Sequence, residues 1–211
     1  MKKTAGKTRE EKRNEKKKRG YFSMQYSLCW SYIKESKNFI WIILLVLLFS
    51  VLLGFVYQPL WVVDIIREYI ENLLMKTQGL NFWQMIIFIL NNNLKVSFFS
   101  MVAGIFLGIF PLAATFSNGY VLGFVAEKAV VAEGAFSLLR LFPHGIFEFP
   151  ALILSLALGV KFGFFFTAKK GKRAKELKRR LEESLRVFLF VILPLLIVAA
   201  IIEGALIIVL G

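Results

Sequence analysis

Residues 39–57 read FIWIILLVLLFSVLLGFVY, an apolar run without a single charged side chain. An α-helix rises about 1.5 Å per residue, so this run would extend about 28 Å, close to the thickness of the hydrocarbon core of a bilayer. The run therefore predicts a membrane-spanning helix, and Pro59 is expected to stop it because proline cannot continue a helix.

The composition of the whole chain supports the same conclusion. Apolar residues make up 57% of the 211 residues, and 22 of them are phenylalanine. A water-soluble domain of this length would expose far too much apolar surface. We therefore predict an all-α integral membrane protein of about five transmembrane helices with additional short interfacial helices. The first apolar run follows a long basic tail and is longer than a signal-peptide core, so it is expected to be an uncleaved anchor.

Four further apolar runs predict the remaining spans, at residues 94–115, 120–131, 144–166 and 187–210. The run at 120–131 is short for a crossing, which leaves open a full helix packed inside the protein or a broken or tilted one. Pro143 suits the first turn of the fourth span, and Pro194 predicts a kink in the last.

Polar residues that cap helices or form turns predict where these helices begin and end. Asn81 is a suitable N-cap for a short helix at 82–90, and the three asparagines at 91–93 predict a break after it. Asn118-Gly119 predicts a turn. Helical spacing of apolar residues predicts amphipathic interfacial helices at 21–37, 60–76 and 168–186.

The net charge of +13 is concentrated in two segments. Residues 1–37 hold 12 Lys or Arg against 4 acids, and residues 168–186 hold 9 against 3. Nucleic-acid binding is one interpretation of such runs. Both segments adjoin apolar spans, so the positive-inside rule is preferred, and no nucleic-acid partner is expected. Five crossings then place the N-terminus and both basic segments in the cytoplasm.

This topology divides the chain into a basic, disordered cytoplasmic tail at residues 1–20 and a single helical membrane domain at residues 21–211. The inner segment 168–186 is expected to contact the anionic lipids of the inner leaflet. The expected lipid-facing cations of that segment are Lys169, Lys170, Lys172, Arg173 and Lys175. A multi-pass protein of the cell membrane is the expected location.

Three predicted membrane helices carry glycines four residues apart. The pairs are Gly104 and Gly108, Gly119 and Gly123, and Gly159 and Gly163. Small residues on one stripe let helix backbones approach closely, and lipid supplies no hydrophobic drive to replace that contact. The stripes also carry polar groups, so we expect the glycine faces to pack around a polar core.

The stretch Leu141-Phe142-Pro143-His144-Gly145-Ile146-Phe147-Glu148 places the single histidine of the chain four residues before a glutamate. Residues four apart share one face of a helix, and an ionisable residue inside a membrane is a functional-site hypothesis by default. Arg140 is the best cationic partner for Glu148 or Glu127. The candidate cluster comprises His144, Glu148, Arg140, Glu127, Glu203, Asn92 and Asn118.

Three roles for this cluster remain open. The favoured role is a hydrogen-bonded lock at the start of the fourth span, and the others are proton or ion handling and an intramembrane metal or hydrolase site. The sequence contains no HExxH motif, no GxSxG motif, no P-loop and no paired CxxC motifs. Cys29 is its only cysteine. No cofactor and no metal are therefore expected.

Several of these pieces together resemble the stage II sporulation protein M family over residues 28–210. They are Glu35-Ser36-Lys37, Asn91-Asn92, Ser117-Asn118-Gly119 with Gly123, Pro143-His144-Gly145 with Glu148, and Ala200-Ile201-Ile202-Glu203. The resemblance implies a polytopic helical membrane protein. In spore-forming bacteria the namesake works with peptidoglycan-degrading partners at a septal membrane, and relatives also occur in cells that make no spores. The Lys-rich tail at residues 2–19 is not part of this pattern.

The sequence thus predicts a non-enzymatic scaffold that recruits membrane or cell-wall-associated proteins. A small transporter or channel using the Glu/His/Arg cluster is the alternative, and an intramembrane hydrolase is a third hypothesis. A second copy of the chain is a further candidate partner, since glycine faces also mediate helix association between chains.

Overall fold

Helix accounts for almost all of the described backbone. The computed structural model describes the backbone of residues 9–210 and the side chains of residues 20–138 and 145–207. Within these residues the α-helices are α1 (Arg9–Glu35), α2 (Lys37–Val56), α3 (Leu60–Thr77), α4 (Phe82–Ala103), α5 (Ile109–Glu133), α6 (Phe142–Gly163), α7 (Arg173–Val187) and α8 (Leu193–Leu210). Ala135–Leu141 and Phe164–Thr167 form 3₁₀ segments, and Phe188–Ile192 forms a π-helical segment between α7 and α8.

Five helical stretches in the described part of the chain are long and apolar enough to cross a membrane. They are Lys37–Val56, Phe82–Ala103, Ile109–Glu133, Gly145–Thr167 and Arg173–Ile207. The number of candidate spans and the all-helical fold class are therefore confirmed. The cytoplasmic position of the N-terminus and the division into tail and membrane domain stay predictions.

The predicted break at Asn91–Asn93 is wrong. Asn81 caps α4 through a reciprocal pair of 3.0 Å hydrogen bonds with Gln84, and the helix then continues through all three asparagines to Ala103. Each asparagine costs a helix only about 0.7 kcal/mol relative to alanine. A break within a bilayer would leave backbone groups unpaired at several kcal/mol each, so the continuous helix is the more stable choice.

The chain reverses at residues 104–108, inside the predicted second span. Leu107 and Gly108 adopt left-handed backbone angles, with φ of 57° and 74°. Glycine tolerates this conformation because it has no Cβ. Gly104 and Gly108 therefore belong to a tight turn between α4 and α5, and the predicted span at 94–115 is wrong.

Asn118-Gly119 lies within α5, so the predicted turn there is also wrong. The Asn118 Nδ2 donates to the Ala114 carbonyl at 2.8 Å, one turn back along the same helix. The 25 residues of α5 combine the end of the predicted second span with the short third run at 120–131. That length is sufficient for a crossing and removes the uncertainty about the third run.

The helices at the two ends of the chain are longer than expected. The interfacial helix predicted at 21–37 begins upstream, at Arg9, and ends at Glu35. The basic helix α7 continues into α8 through the π-helical segment, which ends two residues before Pro194. Proline cannot donate to the carbonyl four residues back, and π-helical turns are a known way of accommodating such an interruption.

Glycines bring two parallel pairs of helices into backbone contact. Gly119 and Gly123 of α5 meet residues 47–55 of α2, while Gly159 and Gly163 of α6 meet the end of α4 and the turn after it. A Cβ at Gly159 would lie 2.9 Å from the Met101 Cα. Close packing of this kind fixes the position of α6 along the axis of α4 and thereby positions the polar groups at the ends of the bundle.

Candidate functional site

Lys161, near the C-terminal end of α6, is the most deeply buried charged residue that the structure describes. Its side chain is 3% exposed, and its Nζ lies 3.2 Å from the Glu35 Oε1. The same ammonium donates to the Ser36 Oγ at 2.9 Å and lies 3.6 Å from the centre of the Tyr32 ring. A buried ammonium requires this kind of compensation because desolvation strongly penalises an unpaired charge.

Glu35 connects this lysine to α7. Arg179 binds the Glu35 carboxylate with both terminal nitrogens, at 3.2 and 2.9 Å. Arg179 also contacts Glu176 at 2.9 Å. A planar guanidinium matches a carboxylate with two parallel hydrogen bonds, which fixes direction as well as distance. The last turn of α1 is therefore held against both α6 and α7.

Arg180 makes the direct link between α7 and α6. Its Nε donates to the Glu176 Oε1 at 2.7 Å, and its Nη1 donates to the carbonyl oxygen of Lys161. That carbonyl is one of the last four of α6, which have no partner within their own helix. Arg180 thus caps the C-terminal end of α6 while Lys161 of the same turn points to α1.

Tyr32 and Ser36 complete this arrangement, which we call the lysine junction: Tyr32, Glu35, Ser36, Lys161, Glu176, Arg179 and Arg180. The Ser36 Oγ donates to the Tyr32 carbonyl at 2.6 Å, at the point where α1 ends and α2 begins. Burial raises the pKa of Tyr32 to about 12, so the phenol stays neutral at ordinary pH. The junction joins four helices through these contacts.

The electrostatics of the junction hold Glu35 ionised. Hydrogen bonding from Arg179 is the largest influence and keeps the pKa of Glu35 below its usual value, although partial burial opposes it and Lys161 adds to it. The carboxylate thus carries the negative charge that the two cations on either side require.

A pH dependence follows from Glu35. Because its pKa is lower in the folded chain than in the unfolded one, its contribution to stability is present above the unfolded value of about 4.3 and is lost as the pH falls through the folded value. We expect wild-type protein to melt at a higher temperature than Glu35→Gln at pH 7, and this gap to close as the pH falls below about 4. Thermal melts in detergent measure the gap, and a constant gap down to pH 3 would contradict the assignment.

Glu127 lies in a different place, near the C-terminal end of α2. Its Oε2 accepts from the Gln58 Nε2 at 3.1 Å and from the Lys128 Nζ at 2.9 Å. Gln58 also donates to the Gly54 carbonyl at 3.0 Å, and the Tyr120 hydroxyl donates to the Tyr57 carbonyl. Since α2 and α5 run in parallel, this contact lies at the end of α2 opposite the lysine junction.

Glu203 lies on α8, one residue before the contact of Gly204 with Ile86 of α4. Its Oε2 is buried and has no hydrogen-bond partner among the described residues. The polar atoms of Glu127 and Glu203 are therefore not joined to one another. Asn92 and Asn118 are both exposed, on α4 and α5.

The remaining members of the predicted cluster leave the lock hypothesis open. The side chains of Arg140 and His144 lie outside the described residues, while Glu148 has interactions of its own on α6. Among the described side chains, no three of His, Cys, Asp and Glu are grouped so as to hold a metal ion. Because His144 is outside that set, the metal hypothesis stays untested.

The basic segment before and within α7 is exposed to the surroundings. Its five predicted cations are all exposed: Lys169, Lys170, Lys172, Arg173 and Lys175. The exposed face of α1 adds aromatic side chains, among them Trp30 at 59% and Tyr26 at 52%. The lysine junction ties the C-terminal end of α1 to α7, while Tyr26 and Trp30 lie beside mid-span residues, among them Pro150 and Val191.

Sequence reasoning misses the lysine junction. It does not name Lys161 among the candidate residues, and it includes Glu35 only as part of a family motif. One signal is present in the sequence, because the predicted topology places both residues at the inner boundary of their spans. An acid and a base at the same membrane boundary are candidates for pairing.

Comparison with known proteins gives a family match over most of the chain. The family model described as stage II sporulation protein M matches residues 42–206. The chain is 35% identical over 177 residues to uncharacterized protein MJ0706 of Methanocaldococcus jannaschii, which covers 79% of the chain and 77% of the relative. It is 31% identical over 121 residues to uncharacterized protein MJ0793 of the same organism, and this match covers 54% of the chain and 66% of the relative. No solved structure matches the chain significantly.

Proposed function

The chain belongs to the stage II sporulation protein M family, and on this basis we propose that it is a non-enzymatic membrane scaffold that recruits partner proteins at the cell membrane. The names of its relatives specify no activity, so the argument depends on the geometry of the chain itself. The observation that carries the proposal is the lysine junction, which fastens a 27-residue helix to the end of the bundle that bears the exposed cations.

The chemistry of this end suits macromolecular contact. Arg179 and Lys161 hold the C-terminal end of α1 rigidly, while its aromatic side chains remain exposed. The exposed cations attract both anionic lipid and acidic protein surfaces, and the exposed aromatic side chains of α1 offer a further contact surface. A partner with an acidic surface at the membrane, including a cell-wall-associated protein, is the class that fits this combination.

Site-directed crosslinking tests the proposal. A photoreactive amino acid at Tyr26 or Trp30 is expected to capture specific partners in intact cells, whereas one at the equally exposed Leu48 of α2 serves as a lipid-facing control. Each captured protein is then purified and titrated against the full chain in nanodiscs. Identical capture at all three positions, or absence of binding in nanodiscs, would contradict recruitment.

A charge variant provides the second arm. Replacing the five exposed cations of the 169–175 segment by glutamine is expected to weaken partner binding at least about tenfold, because electrostatic complementarity contributes to encounter and affinity. Arg67→Gln and Lys128→Gln change charge elsewhere and should leave the affinity within about twofold. Equal weakening by both sets would indicate a general charge effect and contradict a defined recruiting surface.

Transport is the second candidate, and one observation favours it. Glu203 has a buried carboxylate oxygen without a partner among the described residues, on a helix that follows directly on a π-helical segment, and both features occur in ion pathways. Proton or ion flux into proteoliposomes, measured at several pH values against empty liposomes, separates this candidate from the scaffold.

A further inference from the structure

A cavity of about 350 Å³ lies between α3 and α4. Its lining residues are Tyr69, Asn72, Leu73, Lys76, Phe88, Asn91, Asn92 and Lys95. Six of the eight carry hydrogen-bonding side chains, which distinguishes it from the apolar grooves elsewhere on the described surface. Neither the family membership nor the proposed scaffold role assigns this cavity a function.

The lining is cationic and rich in donors. It contains two ammonium groups, three carboxamides and a phenol, and no carboxylate is among the lining residues. The helical period of 3.6 residues turns Asp64 and Glu71 of α3 away from the face formed by Tyr69, Asn72 and Lys76. Glu68, the third acid of α3, precedes Asn72 by one turn and lies at the edge of this face, so α3 brings at most one carboxylate near the two lysines.

The donors of the cavity are also unused. Within the part of the chain that the structure describes, the side chains of Lys76, Lys95 and the three asparagines are exposed and have no hydrogen-bond or ion-pair partner. This contrasts with Lys161, Lys128 and Asn118, whose side-chain nitrogens all have partners. A polar group that is not needed to hold the fold together is available for a ligand.

The depth of Lys95 makes its lack of a partner costly. Lys95 is the fourteenth of the 22 residues of α4, so it lies about 20 Å from the start of the helix and about 12 Å from its end. In a bilayer core of about 30 Å, an isolated lysine near the middle of a helix is strongly disfavoured. An anion in the cavity would offset this cost.

We propose that the α3–α4 cavity binds a phosphate group. Several donors line a space far larger than a carboxylate, and a phosphate has more acceptor oxygens to satisfy them. Leu73 and Phe88 supply apolar walls beside the donors. A second copy of the chain docked by two-fold symmetry is disfavoured, because that symmetry would place lysines opposite lysines.

The phosphate could belong to a lipid headgroup or be free in solution, and the experiment separates these sources. Full-length protein in a neutral detergent is titrated with short-chain phosphatidylglycerol or with inorganic phosphate, while the melting temperature is recorded. Stabilisation by the lipid alone assigns a headgroup, and stabilisation by inorganic phosphate assigns the free anion. Either result supports the site only if it depends on the cavity lysines.

Variants test this dependence. Lys95→Gln and Lys76→Gln should each raise the half-maximal ligand concentration at least about tenfold, whereas Arg67→Gln removes the same charge from the opposite face of α3 and should leave it unchanged. Two cavity variants are used so that one unfolded variant does not decide the result. Equal responses of the cavity variants and Arg67→Gln, or co-purification of a protein lost in Lys95→Gln without any response to phosphate, would overturn the proposal.

Discussion

Gly123→Ala should abolish most of the folded, monodisperse protein. A Cβ at Gly123 would overlap the Val51 carbonyl oxygen, well within the sum of their van der Waals radii, and lie 2.9 Å from the Phe55 backbone nitrogen. Both obstacles are backbone atoms, so no side-chain rotation can relieve the clash. We expect destabilisation of about 3 kcal/mol or more, at the upper end of overpacking effects.

The neighbouring contacts explain why the helices cannot simply move apart. A Cβ at Gly119 would lie 2.9 Å from the Leu47 carbonyl oxygen, and Gly54 of α2 meets the backbone of Tyr120 in turn. Separating α2 from α5 would therefore break contacts on both sides and also the Gln58–Glu127 hydrogen bond. In lipid, where close packing is a main source of helix association, little remains to compensate for that loss.

Gly20→Ala is the matched control for this prediction. Gly20 lies in α1, and no atom of the described residues lies within 4 Å of the position that a Cβ would occupy, so the same added carbon meets no described neighbour. Alanine favours a helix over glycine by about 1 kcal/mol, and the control should be neutral or slightly stabilised. Size-exclusion profiles and thermal melts in mild detergent provide the comparison. Similar melting temperatures for the two variants would contradict the role of backbone contact.

The sequence predicts the number of candidate spans correctly, but it does not predict all of their boundaries. Uninterrupted apolar runs, such as residues 39–57, need no tertiary information because length and composition suffice. The asparagines of α4 and the Asn118-Gly119 pair of α5 are turn signals in water. Within a bilayer the requirement for internal backbone hydrogen bonds outweighs these local preferences, which is why the observed break occurs at 104–108.

Pairing among the charged groups is harder to predict. Glu35 and Lys161 are 126 positions apart, and the contact depends on how α6 sits against α4 and on the turn at Ser36. The spacing of residues predicts which side chains share one face of a helix, as it does for His144 and Glu148. It does not predict which residue of another helix they contact. The glycines at 159 and 163 help to determine this contact, since they fix the position of α6 along the axis of α4.

Glu35→Gln should destabilise the chain more than Lys161→Met, although Lys161 is the more buried of the two. The glutamine leaves a buried ammonium without its carboxylate, whereas methionine removes the charge and fills a similar volume. Glu35 then still retains Arg179. We expect a loss of about 2 kcal/mol for Glu35→Gln, reduced from the typical value of about 3–5 because Glu35 is half exposed, and about 1 kcal/mol or less for Lys161→Met.

The double variant makes this argument decisive. Once Glu35 is glutamine, replacing Lys161 by methionine removes the uncompensated charge, so the double variant should be more stable than Glu35→Gln alone. Glu182→Gln breaks an exposed pair with Lys178 at 3.8 Å and should change stability by less than about 1 kcal/mol. Denaturation of all four variants in one detergent gives the coupling energy. Additive losses would mean that the ammonium and the carboxylate do not depend on one another, and the junction would then be held by Arg179 and Arg180 alone.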